Sequence, residues 1–225
     1  MSIAIITGAT KGIGRACAEL CLSKGMRVIG TGRSKATITH QYYQHIKFDV
    51  GNRKEIAGFF QQISQQMPNV SLLINNAGLG FPTPLPLNDL DGFDEIIRTN
   101  VNGVYYMTNG VVPAMKKQQR GHIFNISSVA GKDGFPEMSA YCGSKFAVYG
   151  FTQSWYKELR PFGIKVTSIH PGSVNTAFFD PFDSVTANDS MMSAADIAET
   201  IWNTYQSDAN YHVVEIEMRP LQPKK

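Results

Sequence analysis

Ile3-Ala4-Ile5-Ile6-Thr7-Gly8-Ala9-Thr10-Lys11-Gly12-Ile13-Gly14 begins as a short apolar run and ends in a cluster of glycines. From Gly12 to Leu22 the apolar residues recur at helical spacing through Ile13, Cys17, Leu20 and Cys21. The stretch therefore predicts a buried strand, a glycine turn and a helix in immediate succession. Glycine permits a tight turn and a close approach of backbone to a ligand, and the helix start beyond it offers unpaired N–H groups and the positive end of a dipole. A pyrophosphate fits such a turn, and so does a tight connection with no ligand; the glycines alone do not choose.

Outward from this unit the alternation repeats. Strands are expected at Met26–Thr31, His45–Phe48, Val70–Ile74, Gly121–Ile126, Gly163–Ile169 and Tyr211–Met218, with helices at Arg53–Gln66, Asp89–Val112 and from Ser139 to about Arg160. Leu79–Leu87, rich in Gly and Pro, is a loop, and the polar segment Lys35–His45 is short for a crossover helix and has no assigned role. Strands interleaved with helices predict an α/β fold: a single-domain, Rossmann-type, doubly wound sheet of about seven parallel strands over residues 1–225. Ligands of such sheets lie at the carboxyl ends of the strands.

Composition narrows the function classes. The 225 residues are 43% hydrophobic and 17% charged, with a formal charge of only +3 and both signs dispersed, so no nucleic-acid footprint or polybasic membrane patch is present. With no apolar run near ~18 residues and no charged leader before Ser2, neither a membrane span nor a signal peptide is expected, and the expected compartment is the cytoplasm. Cys17, Cys21 and Cys142 lack metal-ligand spacing and read as reduced thiols, the first two on one helix face. No metal is expected.

The ends of the expected strands carry the residues of interest. The second ends in Thr31-Gly32-Arg33-Ser34. An acidic residue there would accept hydrogen bonds from a ribose 2′-OH, whereas an arginine accommodates a 2′-phosphate. Without a carboxylate, and with Arg33 and Lys11 near that corner, NADP(H) is favoured over NAD(H), although either base could be a solvated loop charge. Asp49 suits an adenine amino group or a helix N-cap. Asn75-Asn76-Ala77-Gly78 leaves room for a ligand or is simply a turn. Asn100, a poor helix former inside an expected helix, has a local partner or a task. Tyr141 and Lys145 are four apart, so on a helix they share a face, and a cation beside a phenol lowers its ordinary pKa near ~10. Judged alone, the pair is as compatible with ordinary packing as with proton transfer.

Taken together, Thr7-Gly8-(x)3-Gly12-Ile13-Gly14, Asn75-Asn76-Ala77-Gly78, Asn100, Asn125-Ile126-Ser127-Ser128, Tyr141-(x)3-Lys145 and Pro171-Gly172-(x)3-Thr176 resemble the short-chain dehydrogenase/reductase family over essentially the whole chain. The resemblance implies that Tyr141 is the general acid or base, that Lys145 lowers its pKa and holds the nicotinamide ribose, that Ser128 hydrogen-bonds the reacting oxygen, and that Asn100 supports a proton relay. Ser128 is preferred to Ser127 because it lies thirteen residues before the tyrosine, as the family's serine does. The resemblance places Gly8, Gly12, Ile13 and Gly14 at the pyrophosphate, Asp49 and Val50 at the adenine, Asn76, Ala77 and Gly78 near the ribose, and Thr176 at the carboxamide. Thr10, Lys11, Arg33, Ser34, Pro171, Gly172 and Val174 complete the cofactor contacts.

The implied activity is NADPH-dependent hydride transfer to a small-molecule ketone or aldehyde, reversible as alcohol oxidation, by a homodimer or homotetramer. Ketoacyl-carrier-protein reductases and sepiapterin-type reductases are both similar and leave the substrate open. Residues 173–192 occupy the substrate loop, where Phe178, Phe179, Phe182, Met191 and Met192 read as an apolar lid, a dimer contact or a packed helix. The alternative function is an NADP(H)-binding regulatory or scaffolding protein without turnover.

Overall fold

In the computed structural model, which describes residues 1–86, 90–182 and 186–222, β1 (Ile3–Thr7) lies inside a seven-stranded parallel sheet. It is flanked by β2 (Arg27–Gly32) and β4 (Val70–Asn75), with β3 (Tyr43–Lys47) outside β2. Beyond β4 come β5 (Gly121–Ile126), β6 (Ile164–Pro171) and β7 (Glu215–Met218), giving the order β3-β2-β1-β4-β5-β6-β7. The chain runs outward from β1 to β3, then returns to lay β4 on the other side of β1. At this reversal the connections leave in opposite directions and open a crevice past Thr7 and Asn75.

Both faces of the sheet are covered, so its central strands β1 and β4 are buried along their whole length. Along β1 the side chains alternate. Ala4 and Ile6 pack with α1 (Gly12–Ser23) and α6 (Ala194–Tyr205), while Ile3 and Ile5 face the layer of α2 (Arg53–Gln62), α4 (Gly103–Gln118) and α5 (Ser139–Leu159). Cys17 and Cys21 share the buried face of α1, and burial pushes the Cys21 thiol up to about 12. No helix among the described residues is long and apolar enough to cross a membrane.

The structure departs from expectation at four places. The long helix expected from Asp89, which lies outside the described residues, is α3 (Leu90–Ile97), a π-helical turn at Arg98–Asn102, and then α4. β3 starts at Tyr43, inside the segment given no role, and Thr37 Oγ1 of that segment donates to Thr10 O at 2.8 Å, bracing the glycine turn from outside. Helix α6 was not foreseen, although Ser193 and Asp196 form a capping box ahead of Ile197 and Ile201. The last strand covers only Glu215–Met218, because His212 hydrogen-bonds the backbone of Val166 where a ladder would continue.

Near the opposite end of the sheet His122 is fully enclosed, 2.8 Å from Thr167 Oγ1 through Nε2 and stacked on Phe124 at 4.0 Å. Burial, with His212 and Lys165 nearby, holds its pKa well below 6.5. The unfolded chain binds a proton near 6.5 that the folded chain refuses, so stability falls as pH drops below that value, by about 1.4 kcal/mol per pH unit for this group. The urea midpoint should therefore decrease from pH 7 to 5, and His122→Phe should flatten part of that slope. A midpoint independent of pH in both proteins would contradict this.

Candidate active site

The crevice between β1 and β4 is built by hydrogen bonds that tie the glycine turn to the end of β4. Thr7 Oγ1 accepts from the backbone N–H of both Asn76 and Ala77 at 2.9 Å, and Asn76 Nδ2 donates to Thr7 O at 2.9 Å and Gly8 O at 3.1 Å. Gly8 and Gly12 have φ of 66° and 55°, a region that side chains with a Cβ avoid. Lys11, the N-cap of α1, makes no capping hydrogen bond through its side chain. The first N–H groups of the helix thus remain available to an anion.

From this turn one cleft of about 810 Å³ runs along the strand ends. Its walls include Gly8, Thr10, Lys11, Gly12, Ile13, Arg33, Ser34, Asp49, Val50, Asn76, Ala77 and Gly78, and further along Ser128, Tyr141, Lys145, Pro171, Gly172, Val174 and Thr176. Two expected residues lie behind the wall. A Cβ on Gly14 would collide with Gly8 O and Asn76 Nδ2, so this glycine serves close packing of helix against turn and does not line the cleft. Asn100, 1% exposed within the π-helical turn, accepts from Leu79 N–H at 2.9 Å and donates to Leu79 O at 2.8 Å and Ser144 Oγ at 3.0 Å. It fixes the loop beneath the cleft, and a π-turn at such a position supplies the extra residue that redirects a side chain.

Arg33 stands at the tip of β2 and pairs with Glu95 of α3 at 2.7 Å, an acidic partner that only the tertiary fold supplies. Asp49 does not cap α2. Asn52 does, accepting from Lys54 and Glu55 N–H, while Asp49 Oδ1 accepts from Gly51 N–H at 2.8 Å.

At the other end of the cleft, Tyr141 (8% exposed) and Lys145 (6% exposed) occupy one face of the first turns of α5. Lys145 Nζ sits 5.6 Å from the Tyr141 ring centroid and donates to Ile126 O at 2.8 Å. The two serines diverge: Ser127 Oγ is buried and donates to Lys145 O at 3.0 Å, whereas Ser128 lines the cleft with Tyr141, its Oγ accepting from Ala130 N–H at 3.1 Å and donating to Pro171 O at 3.5 Å. The expected lowering of the tyrosine pKa is not what the structure gives. Burial raises Tyr141 to about 12, with Ser128 pulling the other way, and burial lowers Lys145 to about 8. In this enclosed corner desolvation outweighs the mutual influence of the pair.

Residues invisible to sequence reading complete the corner. Thr83, in the loop before α3, accepts from Ala140 N–H at 3.2 Å through Oγ1 and so holds the start of α5. Behind Ser128, His170 on β6 hydrogen-bonds Ser128 O through Nδ1 at 3.0 Å. Neither has a local sequence signal, since the partners lie 57 and 42 residues away.

A match to the short chain dehydrogenase family covers residues 2–185. This chain belongs to the short-chain dehydrogenase family. An uncharacterised oxidoreductase of Staphylococcus saprophyticus is 31% identical over 97% of each chain. Among solved structures, the closed form of a serine dehydrogenase complexed with NADP+ superposes with a TM-score of 0.92 at 28% identity, over 99% of this chain and 96% of that one. A 4-hydroxyisoleucine dehydrogenase complexed with NADH gives a TM-score of 0.85 at 28% identity, with both chains fully covered. In this short-chain dehydrogenase, Pro171 ends β6, and the N–H of Gly172, the next residue, donates to Met218 O at 2.7 Å, so β7 steadies the segment that leads to Thr176.

Proposed function

We propose that the protein is an NADPH-dependent oxidoreductase that reduces a ketone or aldehyde, and in reverse oxidises the alcohol, with Tyr141, Ser128 and Lys145 as catalytic residues. The observation that carries this reading is the Tyr141 phenol, beside Lys145 and sharing with Ser128 one cleft whose far end is the glycine turn. When bound, the nicotinamide supplies the hydride that reaches the carbonyl carbon. Tyr141, held near 12, keeps its proton at neutral pH and gives it to the carbonyl oxygen. Ser128 donates a hydrogen bond to the same oxygen, and Lys145, still mostly protonated at pH 7 with a value about 8, stabilises the phenolate left behind. Asn100 is a positioning residue, holding Leu79 and, through Ser144, α5.

The phosphate end fits NADP(H) better than NAD(H): the β2 tip has no carboxylate, while Arg33 and Lys11 line the cleft there. A 2′-phosphate would draw Arg33 from its exposed bond to Glu95, a pair of small intrinsic worth. One charge-assisted hydrogen bond contributes about 1.5–3 kcal/mol, so Arg33→Ala should weaken NADPH binding on the order of tenfold to a hundredfold and leave NADH binding nearly unchanged. Fluorescence titration with both nucleotides measures this. Equal loss for both, or none for either, would remove Arg33 from phosphate recognition.

The same reading includes a homo-oligomer, supported by the exposed rings of Tyr105 on α4 and Phe146 on α5, beside the stacked Phe151 and Trp155.

A further inference from the structure

The two halves of the cleft differ in chemistry. Toward the glycine turn it carries bases; beyond Tyr141 it is walled by rings. Thr176 Oγ1 accepts from Phe178 N–H at 3.4 Å, capping a short turn at Ala177–Phe179 that sets Phe178 against the Tyr141 ring, with centroids 5.4 Å apart. Phe179 and Phe182 support it at 5.5 and 5.7 Å. A Cβ on Gly80 would come within 2.8 Å of both the Phe178 and Tyr141 rings, so the aromatic wall closes directly onto the reacting phenol. Phe135 and Met138 also line the cleft.

Charge divides in the same way. Among the described residues that line the cleft, the basic side chains are Lys11, Arg33 and Lys145. The first two belong to the phosphate end, and Lys145, which donates to Ile126 O, stands beside the Tyr141 ring, so the aromatic side contributes no base of its own. Just before α5 stands Glu137, an acid, anchored by its carbonyl to Thr83 N–H at 2.5 Å. A carboxylate held against the rings would lose water there without a base on that side, and Glu137 adds an acid to the wall. Burying an unpaired charge is what such a site rejects most strongly. A flat, uncharged ring meets faces and edges that complement it.

We infer that the substrate is an uncharged ketone bearing an aromatic ring, that Phe178 is the residue that selects it, and that keto acids and hydroxy amino acids are excluded. This rests on the carbonyl-reducing role of Tyr141. Likeness to dehydrogenases of amino acids therefore does not carry their substrates to this chain.

The test compares benzil and acetophenone with acetoacetate as oxidants of NADPH, and L-serine as a reductant of NADP+. The expected result is a kcat/KM for an aryl ketone at least about 100-fold above those of the carboxylates, the upper range of what pocket complementarity gives. Phe178→Ala should raise the KM for benzil by about thirtyfold while changing kcat by less than about threefold, as loss of binding that is uniform between ground and transition states requires. Glu137→Lys should bring acetoacetate into the substrate range. Acetoacetate or L-serine used as well as benzil by the wild type, or a Phe178→Ala enzyme indistinguishable from it, overturns the inference while leaving the oxidoreductase reading intact. A second readout separates the two: binding of benzil to the Tyr141→Phe protein loaded with NADPH, followed by nucleotide fluorescence. If nothing is reduced by the wild type but benzil binds this complex and Phe178→Ala weakens it, the pocket assignment stands and the carbonyl-reducing role fails. If benzil neither binds nor reacts, the pocket assignment fails.

Discussion

Tyr141→Phe should lower NADPH-dependent ketone reduction by about 10²–10⁴-fold, the usual contribution of a positioned proton donor, while NADPH affinity changes by less than about threefold. The substitution removes one oxygen. The ring keeps its contact with Phe178 and the Lys145 ammonium keeps its bond to Ile126 O, so the shape of the cleft survives. What disappears is the proton that burial holds on the phenol. Steady-state kinetics beside a nucleotide titration separates the two effects. A variant that turns over like the wild type would leave Tyr141 as a packed helix residue.

Gly14→Ala should be nearly as damaging, through a different link in the chain of cause. An added Cβ has no room between the helix and the turn, because Gly8 O and Asn76 Nδ2 already occupy that space. Relief requires Gly8 to move, and Asn76 is bonded to both Thr7 O and Gly8 O, so the whole turn shifts. Overpacking of this kind costs about 1–3 kcal/mol of stability. Displacing two N–H donors from a phosphate, at about 1.5–3 kcal/mol each, should weaken NADPH binding on the order of a hundredfold or more. Gly58→Ala in α2 is the control: nothing lies within 4 Å of its added methyl, and helix propensity should make it stabilising by up to about 1 kcal/mol. Thermal unfolding with and without NADPH measures both variants. A Gly14→Ala protein that binds NADPH normally would mean that the turn is not the phosphate cradle.

These two residues also show what could be read from the sequence. The unit of β1, glycine turn and α1 was legible because its causes are local: an apolar run, glycines where the backbone turns, and helical spacing beyond. Gly14 was recognisable as necessary but not as a packing residue, since its neighbours Gly8 O and Asn76 meet only after β4 has returned beside β1. Ser128 is distinguished from Ser127 only by its likeness to the family's spacing before the tyrosine, and in the fold one side chain faces the cleft, the other α5. The pKa of Tyr141 could not be read at all. The four-residue spacing announced a nearby cation, whereas the dominant effect is burial, created partly by Phe178 from a loop distant in sequence. Thr83 at the start of α5, Glu95 against Arg33 and His170 behind Ser128 likewise owe their positions to long-range pairing. Helix α6 was a different kind of miss. Its capping box and the spacing of Ile197 and Ile201 are local signals, present in the sequence without any long-range partner.

The most direct measurement follows a hydride and a proton together. NADPH carrying deuterium at the transferable position of its nicotinamide is mixed with an aryl ketone, and the product is analysed by mass spectrometry and NMR. The wild-type protein should yield the alcohol with one deuterium on the carbinol carbon, in step with NADPH consumed, and Tyr141→Phe should bind the nucleotide yet form almost none. Deuterium missing from that carbon, or NADPH bound by the wild type and never consumed with any carbonyl compound, would contradict the assignment of this cleft as a carbonyl-reducing site.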